Sequence, residues 1–237
     1  MTGIAEPTAL VCLPFAGAGP SFFHPWSALA GESWRVLPMQ LPGRERRILE
    51  EPHREVGAAV DELLPGLLDA LVDTKRVVLF GHSLGAVLAY ELAHRLVGVS
   101  DVEVLRLFAS GSPEPHTQRA RRATGMSDDE FVARVREFAG FSDEALDDPE
   151  MRELILPTLR ADVEMHETYV PSTSKPLPVP VTALRGTHDE LVSAEQAAGW
   201  ATATNAEFEL VELAGGHMYL TEAGRQLTEL IDRTVNS

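Results

Sequence analysis

Short, continuous apolar runs alternate with helical patterns along most of this chain, and that alternation leaves few folds open. Residues 8–13, 34–40, 76–80, 104–109, 179–185 and 208–213 read as strands. Their hydrophobicity is continuous rather than alternating, which suits strands covered on both faces. Helical patterns fall between them at 22–30, 56–72, 84–96, 194–202 and 221–235. On 84–96, Leu84, Val87, Leu88, Leu92 and Leu96 make one apolar stripe. Alternation of this kind predicts an α/β fold, with an open, mostly parallel sheet wound by helices on both sides. A length of 237 residues, 44 % of them apolar, suits one such domain carrying one insertion.

The insertion falls where the alternation breaks, at about 112–178, and carries helical patterns only. Ser127-Asp128-Asp129-Glu130 predicts a capping box, followed by Phe131, Val135 and Phe138 on one face. A second helix runs through Met151, Leu154, Ile155, Leu159 and Val163, with a kink expected at Pro157. Ligands of open α/β sheets bind beyond the carboxyl ends of the strands. Helices inserted on that side are expected to form a lid.

Composition excludes several functions. A formal net charge of −16 argues against nucleic acid, which needs a positive field. No apolar run is long enough to span a bilayer, and Met1 to Pro7 has no secretory pattern, so a cytoplasmic protein is expected. The single cysteine, Cys12, falls in a predicted strand and reads as a core residue. No His/Cys/Asp/Glu cluster has metal-ligand spacing, and neither metal nor cofactor is expected. Two basic clusters stand out, Arg44/Arg46/Arg47 and Arg119/Arg121/Arg122; a solvated loop is the plain reading of each.

The chemistry is announced by Gly81-His82-Ser83-Leu84-Gly85, between a predicted strand and a predicted helix. A serine flanked by glycines in that setting resembles the nucleophile elbow of α/β-hydrolases. Side chains at the glycine positions would clash in so tight a turn. The expected partners are an acid and then a histidine, each on a loop after a later strand. Asp189 follows the strand at 179–185, with Glu190 as the less favoured alternative, and His217 follows the strand at 208–213. Ser193 and Gln196 mark another capping box beyond Asp189. Of the eight histidines only His217 has this position; His82 is expected to point away from the serine hydroxyl. The backbone N–H of Leu84 is one expected oxyanion donor, and Phe15 or Ala16, in the loop Leu13 to Gly19, is the other. Small residues there let backbone approach a substrate.

These pieces run in one order: Pro14-Phe15-Ala16-Gly17, Leu41-Pro42-Gly43-Arg44-Glu45, Gly81 to Gly85, Gly186-x-x-Asp189 and Gly215-Gly216-His217. Together they resemble the type II thioesterases of polyketide and nonribosomal peptide assembly lines. Leu-Pro-Gly-Arg-Glu is the most family-specific piece. Ala18 stands where a second glycine is common, and Met218 where an aromatic is. The resemblance implies an α/β-hydrolase fold and a stand-alone editing enzyme. It would hydrolyse acyl groups from the phosphopantetheine thiol of an acyl carrier protein. Arg119, Arg121 and Arg122 would help dock that acidic partner, and a monomer is expected. The same triad would serve a carboxylesterase or lipase. A macrocyclising release domain fits less well, because the chain starts at Met1 with no flanking carrier domain. A non-catalytic binding protein would be expected to have lost part of the triad.

Overall fold

The structure is a computed structural model that describes residues 7–31, 33–99, 101–119, 122–139 and 146–236. Its strands are β1 (Thr8–Leu13), β2 (Trp34–Pro38), β3 (Arg76–His82), β4 (Glu103–Ser110), β5 (Val181–Gly186) and β6 (Phe208–Leu213). They form one six-stranded sheet in the order β2-β1-β3-β4-β5-β6, and every neighbouring pair is parallel. Parallel neighbours need crossovers. These are supplied by α1 (Trp26–Leu29), α2 (Val56–Ala70), α3 (Leu84–Val97), α4 (Asp128–Ala139), α5 (Pro149–Glu167) and α6 (Ala194–Ala198); α7 (Gly224–Asn236) follows the last strand.

The sheet is buried from both sides, as its uninterrupted apolar strands require. One face holds Val77, Leu79, Leu107 and Ala183 against α2, α3 and Trp200. The other holds Leu10, Phe80, Phe108 and Leu184 against Phe23, Trp26, Leu227 and Ile231. Residues adjacent in a strand thus go to opposite cores, as the period of two dictates. The α3 stripe of Leu84, Val87, Leu88, Leu92 and Leu96 is wholly buried. Each such side chain contributes about 1.5–3 kcal/mol of transfer free energy.

Prolines and glycines account for where the elements depart from the sequence pattern. The helix expected at 22–30 is a 3-10 turn (Pro20–Phe23) and then α1, separated at His24-Pro25, because Pro25 has no N–H to continue the ladder. The strand expected from residue 179 begins at Val181, after Pro180. Helix α6 ends at Ala198 and a 3-10 turn carries on from Gly199. Helix α5, by contrast, runs on through Pro157 without interruption.

Between β4 and β5 the chain is helical, as expected. Asp148 caps α5 by accepting from the N–H groups of Glu150 and Met151, with Pro149 in the first turn. At the start of α4, the Glu130 carboxylate accepts from both the N–H and the hydroxyl of Ser127. Phe131, Val132, Leu146 and Leu156 form a small core of their own, with Val135 packed against it. The side chain of Phe138 lies outside the described residues. The insertion returns to the body through buried Glu91 of α3. Its carboxylate accepts from the Tyr169 hydroxyl at 2.8 Å and from the Ser172 N–H at 2.9 Å.

Candidate active site

Strand β3 ends at His82 and α3 begins at Leu84, so a single residue makes the turn between them. Ser83 accordingly has φ +53°, ψ −113°, a conformation costly for a side-chain-bearing residue. A Cβ on Gly81 would meet the Gly85 carbonyl oxygen at 1.9 Å, and one on Gly85 would meet that of Leu13 at 2.4 Å. Only glycine fits either position.

Strand β5 delivers Asp189 and β6 delivers His217. The register pairs Gly186 with Leu213, so the two following loops start side by side. Asp189 is buried and fully engaged. Its Oδ1 accepts from the N–H groups of Leu191 at 2.8 Å and Val192 at 3.0 Å. Its Oδ2 lies 2.9 Å from Nδ1 of His217. Burial pushes this carboxyl up, but the His217 contact and the two N–H groups outweigh it, and its pKa is held below the ordinary value. With Nδ1 committed to Asp189, the other imidazole nitrogen is the one left for a substrate-side partner.

Ser83 and His217 line a cavity of about 800 Å³. They form no hydrogen bond with each other in this structure; such contacts are often long in a free enzyme and tighten with substrate. Phe15, Ala16, Gly17 and Ala18 line the same cavity, as do Leu159, Val163 and His166 of α5 and Met218. Among the described residues, no protein acceptor takes the N–H of Phe15, Ala16 or Leu84. The Ser83 N–H is spent on Ser110 O at 2.8 Å. Glu190, the alternative acid, is exposed and makes no contact with His217.

The His82 ring is engaged by its neighbours within the core. Its Nδ1 is 2.8 Å from the Ser110 hydroxyl, which is 2.6 Å from the Tyr219 hydroxyl. Full burial pushes the His82 pKa well down, so the ring is neutral. It stacks obliquely on His217, with ring centroids 4.8 Å apart.

Arg119, one of the expected docking residues, is engaged within the fold. Its Nε donates to His166 Nε2, and its Nη atoms donate to the carbonyls of Pro113, Pro115 and Thr117 and to the Ser112 hydroxyl. The guanidinium lies over the Tyr169 ring, 5.0 Å from its centroid, and burial pulls its pKa down to about 10. Arg119 thus ties the entry of the insertion to α5. Arg122 is exposed at the cavity wall, and Arg121 lies outside the described residues.

Arg44 also departs from its solvated-loop reading. It is 5 % exposed and forms a two-pronged ion pair with the fully buried Asp162 of α5. Asp162 was absent from the sequence-based candidates. Its one signal was a charge amid the apolar stripe of Ile155, Leu159 and Val163.

A doubly covered parallel sheet, with a serine on a strained elbow and an aspartate–histidine pair on two later loops, defines an α/β-hydrolase. Comparison with known proteins narrows the class. The chain matches the thioesterase domain family over residues 8–236. A probable cadicidin biosynthesis thioesterase of Streptomyces griseus is 37 % identical over 220 residues; the match covers 92 % of this chain but only 60 % of that longer protein. The gramicidin S biosynthesis protein GrsT of Aneurinibacillus migulanus is 32 % identical over 223 residues, 94 % of this chain and 86 % of that one. Among solved structures, the type II thioesterase BorB from the borrelidin biosynthetic cluster superposes with a TM-score of 0.85 at 32 % identity, covering 98 % of this chain and 93 % of BorB. RedJ, from the prodiginine pathway of Streptomyces coelicolor, gives 0.87 at 30 % identity, covering 98 % and 95 %. The chain belongs to the thioesterase family and is a thioester hydrolase.

Proposed function

We propose that this enzyme clears acyl groups from the phosphopantetheine thiol of an acyl carrier protein, as an editing hydrolase beside a polyketide or nonribosomal peptide assembly line. Ser83, His217 and Asp189 are its triad. The observation that carries the reading is the Asp189–His217 hydrogen bond of 2.9 Å on the wall of the cavity that Ser83 enters. His217 takes the Ser83 proton as Oγ attacks the thioester carbonyl. Asp189 holds the ring in the required tautomer and stabilises the imidazolium. The oxyanion is received by the N–H of Leu84, at the positive end of α3, and by that of Phe15 or Ala16. The intermediate then collapses to acyl-serine, and His217 returns the proton to the departing sulfur. A thiol with a pKa of about 8.5 needs less help to leave than an amine. Water deprotonated by His217 attacks the acyl-serine and frees Ser83.

The insertion serves as a lid. Its helices wall the acyl cavity, and a cavity of about 800 Å³ has room for an acyl chain and part of a pantetheine arm. Arg122 is the remaining described arginine of its cluster to face an acidic carrier, with Arg121 proposed beside it. Cys12, buried and unpaired, fits the cytoplasm, and among the described residues no helix is long and apolar enough to cross a membrane.

The test is hydrolysis of a short acyl group loaded on an acyl carrier protein, following released acid by mass spectrometry. Wild type should release it and Ser83→Ala should not. Turnover of simple oxygen esters without turnover of the carrier thioester would favour the esterase reading.

A further inference from the structure

The feature not absorbed by the triad is the buried pair Arg44–Asp162, and its contacts lead to the oxyanion loop. Asp162 projects from α5, one turn after Thr158. Its Oδ2 receives Arg44 Nη1 at 2.8 Å and also the backbone N–H of Gly17 at 2.8 Å; its Oδ1 receives Arg44 Nη2 at 2.8 Å. Arg44 Nη1 donates in addition to Ala18 O at 3.0 Å, and Nε to Pro42 O at 3.2 Å. Thr158 donates its hydroxyl to Gly43 O at 2.6 Å. One face of α5 therefore grips two loops at once.

The loop that matters chemically is Phe15 to Ala18. It is closed by Ala18 N–H to Phe15 O at 2.9 Å, and its Gly17 has φ +78°. Gly17 is pressed against α5: a Cβ there would meet Leu159 Cδ1 at 3.1 Å. The turn is thus held at its Gly17 N–H by Asp162 and at its Ala18 carbonyl by Arg44. The peptide units just before it carry the unpaired N–H groups of Phe15 and Ala16. An oxyanion donor is effective only where it already points at the developing charge.

We infer that Asp162 of α5, through Arg44, is a positioning residue for the oxyanion hole, so that the lid helix sets the aim of the Phe15–Ala16 N–H groups. The inference rests on the proposed role of those groups. A clamp of this kind acts on the transition state and leaves ground-state binding alone. Its loss should therefore lower kcat and spare KM.

The experiment uses Asp162→Asn, which keeps the side-chain shape, on a small acyl thioester. A boronic acid reports on the hole directly, since its tetrahedral Ser83 adduct places an oxygen there. We expect kcat to fall by about 10–100-fold, a partial loss of the ~10²–10³ that one oxyanion donor supplies. KM should stay within about threefold, and boronate affinity should fall in step with kcat. A second variant separates positioning from stability. Arg44→Met with Asp162→Leu replaces the pair by apolar groups, which commonly restores stability. It should recover the melting temperature but not kcat, because neither side chain can hold Gly17 N–H or Ala18 O. If kcat recovers with stability, or if a folded Asp162→Asn turns over like wild type, the pair is structural only and the inference falls. Should Asp162→Asn not fold, Arg44→Lys keeps the charge pair but loses the fork, and the same kcat and boronate criteria apply to it. Failure of wild type to hydrolyse the thioester would instead strike the proposed triad chemistry and is read separately.

Discussion

The loops at the carboxyl ends of the strands and the helices between β4 and β5 wall the same cavity, but different forces hold them. The loops are fixed by backbone. Gly81 and Gly85 leave no room for a Cβ, and Asp189 is pinned by two backbone N–H groups. The insertion is held mostly through side chains. Arg152–Asp129 and Arg160–Asp128 join α4 to α5 at the surface, around a small apolar cluster. The elbow and the Asp189 loop are thus set by backbone, and the insertion's share of the wall by side-chain contacts. Arg44–Asp162, a buried ion pair, and buried Glu91 tie the insertion to the body.

That contrast can be broken in order of expected effect. Asp189→Asn, on a backbone-fixed loop, should lower kcat on the order of 10⁴-fold with every acyl group alike. Steady-state kinetics on short and long thioesters would check this, and a loss confined to long chains would place Asp189 in acyl selection instead. Next comes Arg44→Ala, which strands a buried carboxylate and should cost about 3–5 kcal/mol. Urea unfolding measures it; a cost under 1 kcal/mol would put the pair with the exposed ones.

A smaller effect should follow pH. His82 is fully buried and its folded pKa lies well below the ordinary histidine value of about 6.5. Below that value the unfolded chain takes up a proton that the folded chain does not. Stability is therefore full above about pH 6.5 and falls as pH drops, by up to about 1.4 kcal/mol per unit for this group. His94 and His166 are shifted the same way by burial and add to the slope. Urea midpoints at about pH 7.5 and 5.5 should differ less in His82→Gln than in wild type. The smallest effect belongs to Arg152→Ala, whose partner Asp129 is 90 % exposed. It should change stability by less than about 1 kcal/mol and leave turnover untouched. A larger loss would mean that α4 is bound as tightly as α5.

The same contrast explains what could be read in the sequence. The inner strands were legible because burial on both faces writes a nearly continuous apolar run, while the edge strands β2 and β6 are part-exposed and carry Arg35, Glu209 and Glu212. Ser83, Asp189 and His217 each follow a strand, and chain order is enough to place them on neighbouring loops at one end of the sheet. Arg44 departs from its solvated reading because its partner is far off in sequence, while Arg119 is engaged by nearby carbonyls together with the distant His166 and Tyr169. Arg44 meets Asp162 across 118 residues, and Arg119 meets backbone carbonyls and the Tyr169 face. Nothing periodic announces a contact of that kind. Element ends were blurred where a local hydrogen-bond donor was missing, as at Pro25 and Pro180.

Cys12 lies on β1, flanked by β2 and β3 and wholly enclosed, and burial raises its thiol pKa well above the ordinary value. The folded enzyme is therefore silent toward a disulfide dye. Every thiol such a dye counts during turnover has been released from substrate, so the reaction can be followed continuously by colour with the native protein as it stands.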